Sequence, residues 1–143
     1  MSTDTLTTEF CMRLSRAAAT LSRRLDSALG SHHGISFADY QLLRQLARAP
    51  EGRLRRVDLA ERLGLTASGV TRSLLPLEKI GLVTRQSDPR DARVGYALIT
   101  PVGDELVTNA TTVVDNVSRM ALGGPAREQI EASSALLARL AGQ

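Results

Sequence analysis

The sequence is poor in several things that would have decided its chemistry. In 143 residues it has one cysteine, Cys11, two histidines, His32 and His33, and no tryptophan. A single thiol closes no internal disulfide, and with two imidazoles it falls short of a Cys/His zinc site, which excludes a disulfide scaffold and a structural zinc finger. No apolar run approaches the roughly 18 to 20 residues that a membrane-spanning helix needs. The start, Met1 to Glu9, is polar where a signal peptide is basic and then apolar. A soluble, cytoplasmic protein without a membrane partner is the expectation. A Gly-rich phosphate loop, a nucleophile elbow and a metal-spaced His/Glu pair are also missing, so neither an enzyme nor a cofactor or metal is implied. What remains, 43% hydrophobic and 23% charged residues, suits one compact domain or one domain with helical extensions.

The net charge is only +3, too small for a polycation that coats nucleic acid or lipid. Its distribution is uneven. From Arg44 to Arg93 there are eleven basic residues against six acidic ones, while the rest of the chain holds seven against nine. A polyanion would therefore dock on the middle third. All the basic residues but Lys79 are arginine, which a GC-rich genome explains and which also suits bidentate contact with phosphate and guanine.

The apolar periodicity divides the chain into helices separated by Gly and Pro. Phe10, Leu14, Ala17, Ala18, Leu21, Leu25 and Leu29 recur at three and four, predicting a long amphipathic helix from about Thr7 to Leu29, stopped by Gly30 and the cluster Ser31 to Gly34. Ser36, with Asp39 three residues on, caps a second helix from Phe37 to about Ala49. A third, short helix carries Val57, Leu59, Ala60 and Leu63 and closes at Gly64. Thr66 caps the next, with Val70, Leu74, Leu77 and Ile80 on one face and Gly81 as the stop. Pro76 inside it predicts a kink or a distorted second half. Two β-like runs, Leu82 to Gln86 and Val94 to Ile99, flank a charged tip and read as a hairpin. Thr100-Pro101 opens a long helix to about Leu122. Gly123, Gly124 and Pro125 break it before a last amphipathic helix with Ile130, Leu136, Leu137 and Leu140.

Val57 to Ile80 has the layout of a helix-turn-helix, with small Ala60 at the helix crossing, Gly64 at the bend and Val70 plugging the shared core. That leaves Thr66, Ser68, Thr71, Arg72 and Ser73 facing outward toward base edges and phosphates. The hairpin directly after it makes the order that of a winged helix. In its tip, Asp88-Pro89-Arg90-Asp91-Ala92-Arg93, two carboxylates can brace one arginine while another projects into a narrow minor groove. Arg85, at the base of the hairpin, joins the same basic set.

This chain resembles the MarR family of bacterial transcriptional regulators. The resemblance rests on Leu59-Ala60-Glu61-Arg62-Leu63-Gly64, Thr71-Arg72, Leu77-Glu78, Gly81-Leu82-Val83, the wing Asp88 to Arg93, and Ile99-Thr100-Pro101-Val102-Gly103. It implies a mainly α fold with a small β-hairpin wing, in which residues 1–35 and 101–143 form dimerisation helices around a winged helix-turn-helix lobe, 36–100. It also implies a homodimer that binds a pseudopalindromic stretch of double-stranded DNA, commonly as a repressor. Arg93, braced by Asp91, is then the minor-groove residue, with Arg90 as an added contact and Asp88 as a second brace.

A coiled-coil-like stripe of Leu14, Leu21 and Leu25, with Leu136, Leu137 and Leu140 at the other end, is the expected dimer seam. Family members commonly let go of DNA when a small, often phenolic ligand fills a cleft, or when a cysteine is oxidised. An aromatic or anionic effector would be held here by Arg16, His33 and Tyr40. Cys11 falls where the hydroperoxide-sensing branch carries its reactive thiol, but the first helix has no tyrosine to support a thiolate, and a small core residue is the other reading. His32-His33 reads as a solvated loop pair. The rival from a different class is a winged-helix protein-interaction or architectural module without sequence-specific DNA binding.

Overall fold

The computed structural model describes residues 1–142. The chain runs α1 (Thr3–His33), α2 (Phe37–Arg48), a 3-10 turn (Pro50–Gly52), β1 (Arg53–Arg55), α3 (Arg56–Leu63), α4 (Ala67–Lys79), β2 (Val83–Ser87), β3 (Gly95–Ile99), α5 (Pro101–Leu122) and α6 (Arg127–Leu140). The mainly α architecture with a hairpin wing is as the sequence predicts. Three N-caps lie where expected: Ser36 and Asp39 form a reciprocal capping box, and Thr66 and Thr100 accept from the backbones of Gly69 and Gly103. Gly64, at φ 66°, takes the left-handed conformation that ends α3 with little strain only for glycine.

Several elements differ from their sequence expectation. Helix α1 does not stop at Leu29 or Gly30. It starts from Ser2, which accepts from the Thr5 backbone, and runs through Gly30 to a left-handed Gly34. One glycine costs a helix only about 1 kcal/mol, so Gly30 alone cannot end it, and His32 and His33 occupy its last turn instead of a loop. Pro76 removes one backbone donor, yet α4 continues through it to Lys79 with Pro76 on the exposed side. Ile80 is 62% exposed and leaves the buried face formed by Val70, Leu74 and Leu77. The helix ends there: Gly81 donates to Glu78 and Leu82 to Leu77, turning the chain into β2.

The sheet has three strands in the order β1-β3-β2, all antiparallel. Arg85 pairs with Ala97 and Ser87 with Gly95 across the hairpin, while Arg53-Leu54-Arg55 pairs with Leu98, Ala97 and Tyr96 on its other side. The sequence reading lacks β1, because the alternation Arg53-Leu54-Arg55 spans only three residues, too short to signal a strand. This strand ties the wing to the helix-turn-helix.

The main core cluster runs from Leu29 to Ala110, with Val113 and Val114 packed against it. Tyr40, Leu42, Leu43 and Leu46 of α2 meet Leu59, Val70, Leu74 and Leu77 of the helix-turn-helix, and Ala97, Val107 and Ala110 close it. Gly103 is the tightest joint: a Cβ there would lie 2.2 Å from the Leu82 carbonyl oxygen, so α5 can approach the α4–β2 turn only without a side chain. Outside this lobe little is buried. Helix α6 has no buried residue, and Leu6, Phe10, Leu136, Leu137 and Leu140 are exposed. Leu25 corrects the expected seam, since its own chain already buries it to 1% exposure. Leu14 is half-buried and Leu21 is 36% exposed.

Candidate nucleic-acid interface

Helix α4 buries Val70, Leu74 and Leu77, so the side 180° away carries Ser68 and Arg72, one helical turn apart and both exposed. Neither side chain has a hydrogen-bond or ion-pair partner among the described residues. Thr66 is exposed at the cap; its oxygen accepts from Gly69 at 3.0 Å, which leaves the hydroxyl proton free to donate outward. Thr71 and Ser73 are half-buried and spend their hydroxyl protons on the Ala67 and Gly69 carbonyls. Ser73 is thereby turned to its own helix.

At the wing, Arg93 Nε and Nη2 donate to the two oxygens of Asp91 at 3.1 and 3.2 Å, and the Arg93 backbone N–H donates to Asp91 as well. The Arg93 side chain is nevertheless 91% exposed. Asp91 is held below the usual carboxylate range, first by the hydrogen bond from the Arg93 side chain and then by its backbone N–H. Asp88 braces differently from the expected carboxylate-guanidinium pair. It accepts from the Arg90 backbone at 2.7 Å and from the Tyr96 hydroxyl at 3.4 Å, which fixes the turn and leaves the Arg90 guanidinium without a partner among the described residues. Arg53 lies over the Tyr96 ring at 4.7 Å and backs the wing from β1. Arg85, grouped with the basic set by the sequence, is paired: its Nε donates to Glu78, directing it toward α4.

Between α4 and the wing lies an open cleft of about 420 Å³, whose walls include Arg55, Arg56, Ser68, Thr71, Arg93 and Gly95. Ser68, Thr71 and Arg93 were legible from the sequence. Arg55, Arg56 and Gly95 were missed, because their place depends on β1 pairing with β3. The run Arg53-Leu54-Arg55-Arg56 was the available signal. Arg55 donates twice to Asp58, at 2.9 and 3.2 Å, and this carboxylate raises its pKa, by hydrogen bonding first and by charge second.

The expected ligand trio does not assemble within the chain. Tyr40 is buried, with its hydroxyl 2.8 Å from that of Thr111. Arg16 and His33 stand on one continuous helix, seventeen residues and so about 25 Å apart. Arg16 instead lines a groove between α1 and α5 with Arg13, Arg24 and Leu21. Cys11 is half-buried beside Phe10, in a groove that Leu136 and Leu140 of α6 complete.

The short helix, glycine bend, outward-facing second helix and braced hairpin together define a winged helix-turn-helix protein. The family model described as MarR family matches residues 33–94. The HTH-type transcriptional regulator YdgJ of Bacillus subtilis (strain 168) is 28% identical over 107 residues, a match that covers 75% of this chain and 64% of that relative. A MarR family transcriptional regulator of Streptomyces coelicolor, solved in complex with DNA, superimposes with a TM-score of 0.86 at 28% identity, covering 94% of this chain and 84% of the other. CouR of Rhodococcus jostii RHA1, solved with p-coumaroyl-CoA, gives 0.84 at 25%, covering 95% and 94%. Over residues 33–94, which hold the winged helix-turn-helix, the chain is similar to the MarR family. The first two of these relatives are named as transcriptional regulators, the Bacillus one as an uncharacterized one. No helix among the described residues is long and apolar enough to cross a membrane.

Proposed function

We propose that this chain is a DNA-binding transcriptional regulator that works as a homodimer, placing two winged lobes on a pseudopalindromic operator, and that it represses until a small aromatic or anionic effector releases it. The lobe is 36–100, and the segments 1–35 and 101–143 carry the dimer. One observation carries the reading: Ser68 and Arg72 stand open on α4 beside a wing whose Arg93 is exposed and held in direction by Asp91. In this reading α4 enters a major groove, Thr66 and Thr71 approach the backbone, and Arg93, with Arg90 beside it, enters the adjoining minor groove, whose negative potential favours arginine. The similar structure solved with DNA supports it.

The homodimer is supported by the apolar residues that the chain leaves uncovered on α1 and α6, which a second copy covers by two-fold symmetry. The effector is supported by the similar structure that holds p-coumaroyl-CoA, and Arg13, Arg16 and Arg24 beside Leu21 offer the charge and apolar floor such a ligand needs. The test is selection from the source genome: purified protein is mixed with fragmented genomic DNA at moderate salt and the retained fragments are sequenced. A shared inverted repeat with half-sites about one helical turn apart is expected. Retention without any shared sequence overturns the reading in favour of an architectural or protein-binding module.

A further inference from the structure

Resting on the DNA-binding reading, we propose that the cleft between α3, α4 and the wing base is a seat for a single phosphodiester of the DNA backbone, and that Arg56 is the residue that holds it. Three guanidinium groups line this cleft, but they differ in what already neutralises them. Arg55 is matched by Asp58 and Arg93 by Asp91. Arg56 has no carboxylate partner among the described residues, and it is the half-buried one of the three, while Arg55 and Arg93 are exposed. The cleft therefore presents one uncompensated positive charge, which matches one singly charged phosphodiester. Ser68, exposed, adds a hydroxyl donor on the opposite wall.

Gly95 supplies the second observation. Its φ is not in the left-handed region, so the backbone of β3 does not require glycine there. What a side chain there would meet is the guanidinium: a Cβ at 95 would lie 2.7 Å from Arg56 Nη2 and 2.8 Å from its Nε, so the head of Arg56 would have to move. The missing side chain lets the guanidinium lie flat against the wing base, between α3 and β3, at the edge of the face that meets DNA. A half-buried arginine packed against a glycine backbone, with no carboxylate to leave among the described residues, reaches a phosphate without first breaking an ion pair, and it carries no sequence information of its own.

The experiment is an equilibrium titration of the full chain with the selected operator and with a scrambled duplex, over stepped salt, together with a scan of operators bearing one neutral methylphosphonate each. Arg56→Ala is expected to weaken both duplexes alike, by about tenfold at low salt, and to lower the salt slope by about one. Arg56→Lys keeps the slope and recovers part of the affinity. Gly95→Ala displaces the guanidinium and weakens binding several-fold in the wild type, yet has no further effect in the Arg56→Ala background, which a general packing defect would not reproduce. One methylphosphonate position per half-site costs the wild type affinity and costs Arg56→Ala none. Wild-type binding with an Arg56→Ala variant of equal affinity and slope overturns the seat alone. No salt-dependent binding by the wild type overturns the DNA reading beneath it. Should Arg56→Ala fail to fold, the response of Gly95→Ala in the methylphosphonate scan decides, and an unchanged pattern there overturns the seat.

Discussion

Arg93 and Asp91 show how one exposed ion pair can matter without contributing much stability. Surface pairs contribute little to stability, but two side-chain hydrogen bonds on one carboxylate fix the direction of a guanidinium that is 91% exposed. Arg93→Ala and Arg72→Ala are each expected to weaken operator binding by about 1 to 3 kcal/mol, with the dimer intact by sedimentation; a variant that binds unchanged removes its residue from the interface. Because the Asp91 value is depressed in the folded state, the brace is fully present above the ordinary carboxylate range and is lost only as pH falls through the lowered value. An NMR titration should place the Asp91 midpoint below that of an ordinary aspartate, and Arg93→Ala should move it back up. An unshifted midpoint in the wild type contradicts the brace. Spacing along α4 made Ser68 and Arg72 legible in the sequence, since a residue opposite Val70 and Leu74 must face outward. The pairings of Arg55 with Asp58 and Arg85 with Glu78 were not legible, because each basic residue there has several acidic neighbours in sequence and the fold chooses one.

At the scale of elements, the same glycine-to-alanine change has opposite expected signs at two sites. Gly103 allows α5 to meet the Leu82 carbonyl at a distance no Cβ tolerates, and the obstacle is backbone, which cannot swing away. Gly103→Ala should therefore destabilise by about 1 to 3 kcal/mol, as overpacking does. Gly30 lies inside α1 with nothing within 4 Å of the added Cβ and no left-handed φ, so Gly30→Ala should stabilise by up to about 1 kcal/mol. Thermal melting of both variants checks the pair, and equal shifts would contradict the account. Helix caps and hairpin were legible because their signals are local: Ser36 with Asp39, Thr66, and Thr100-Pro101 each act within one turn. The course of α1 beyond Gly30 was not, because a glycine signals a stop only where the chain adopts a left-handed turn, and here Gly34 does so. Strand β1 depends on a partner more than forty residues away in the chain, beyond any local pattern.

For the whole molecule, the division of buried surface is the main fact. Residues 29 to 110 close a core of their own, while α6 buries nothing and leaves Leu136, Leu137 and Leu140 exposed. An isolated fourteen-residue helix is marginal in water, so α6 needs a partner to persist. Leu137→Asp is expected to give monomers or aggregates in sedimentation while the lobe keeps its cooperative melting; normal dimers would remove α6 from the seam. The amphipathic stripes were legible in the sequence, but which leucines remain free was not, as Leu25 shows by turning inward against its own chain. The central claim is that two such lobes read one DNA sequence together. Its most direct measurement is a fluorescence-anisotropy titration of the selected operator against a scrambled duplex of equal length at moderate salt. The account predicts two chains per site, a preference of about 10³ or more for the operator, and a steep loss of affinity with salt. Equal affinity for the two duplexes would contradict it.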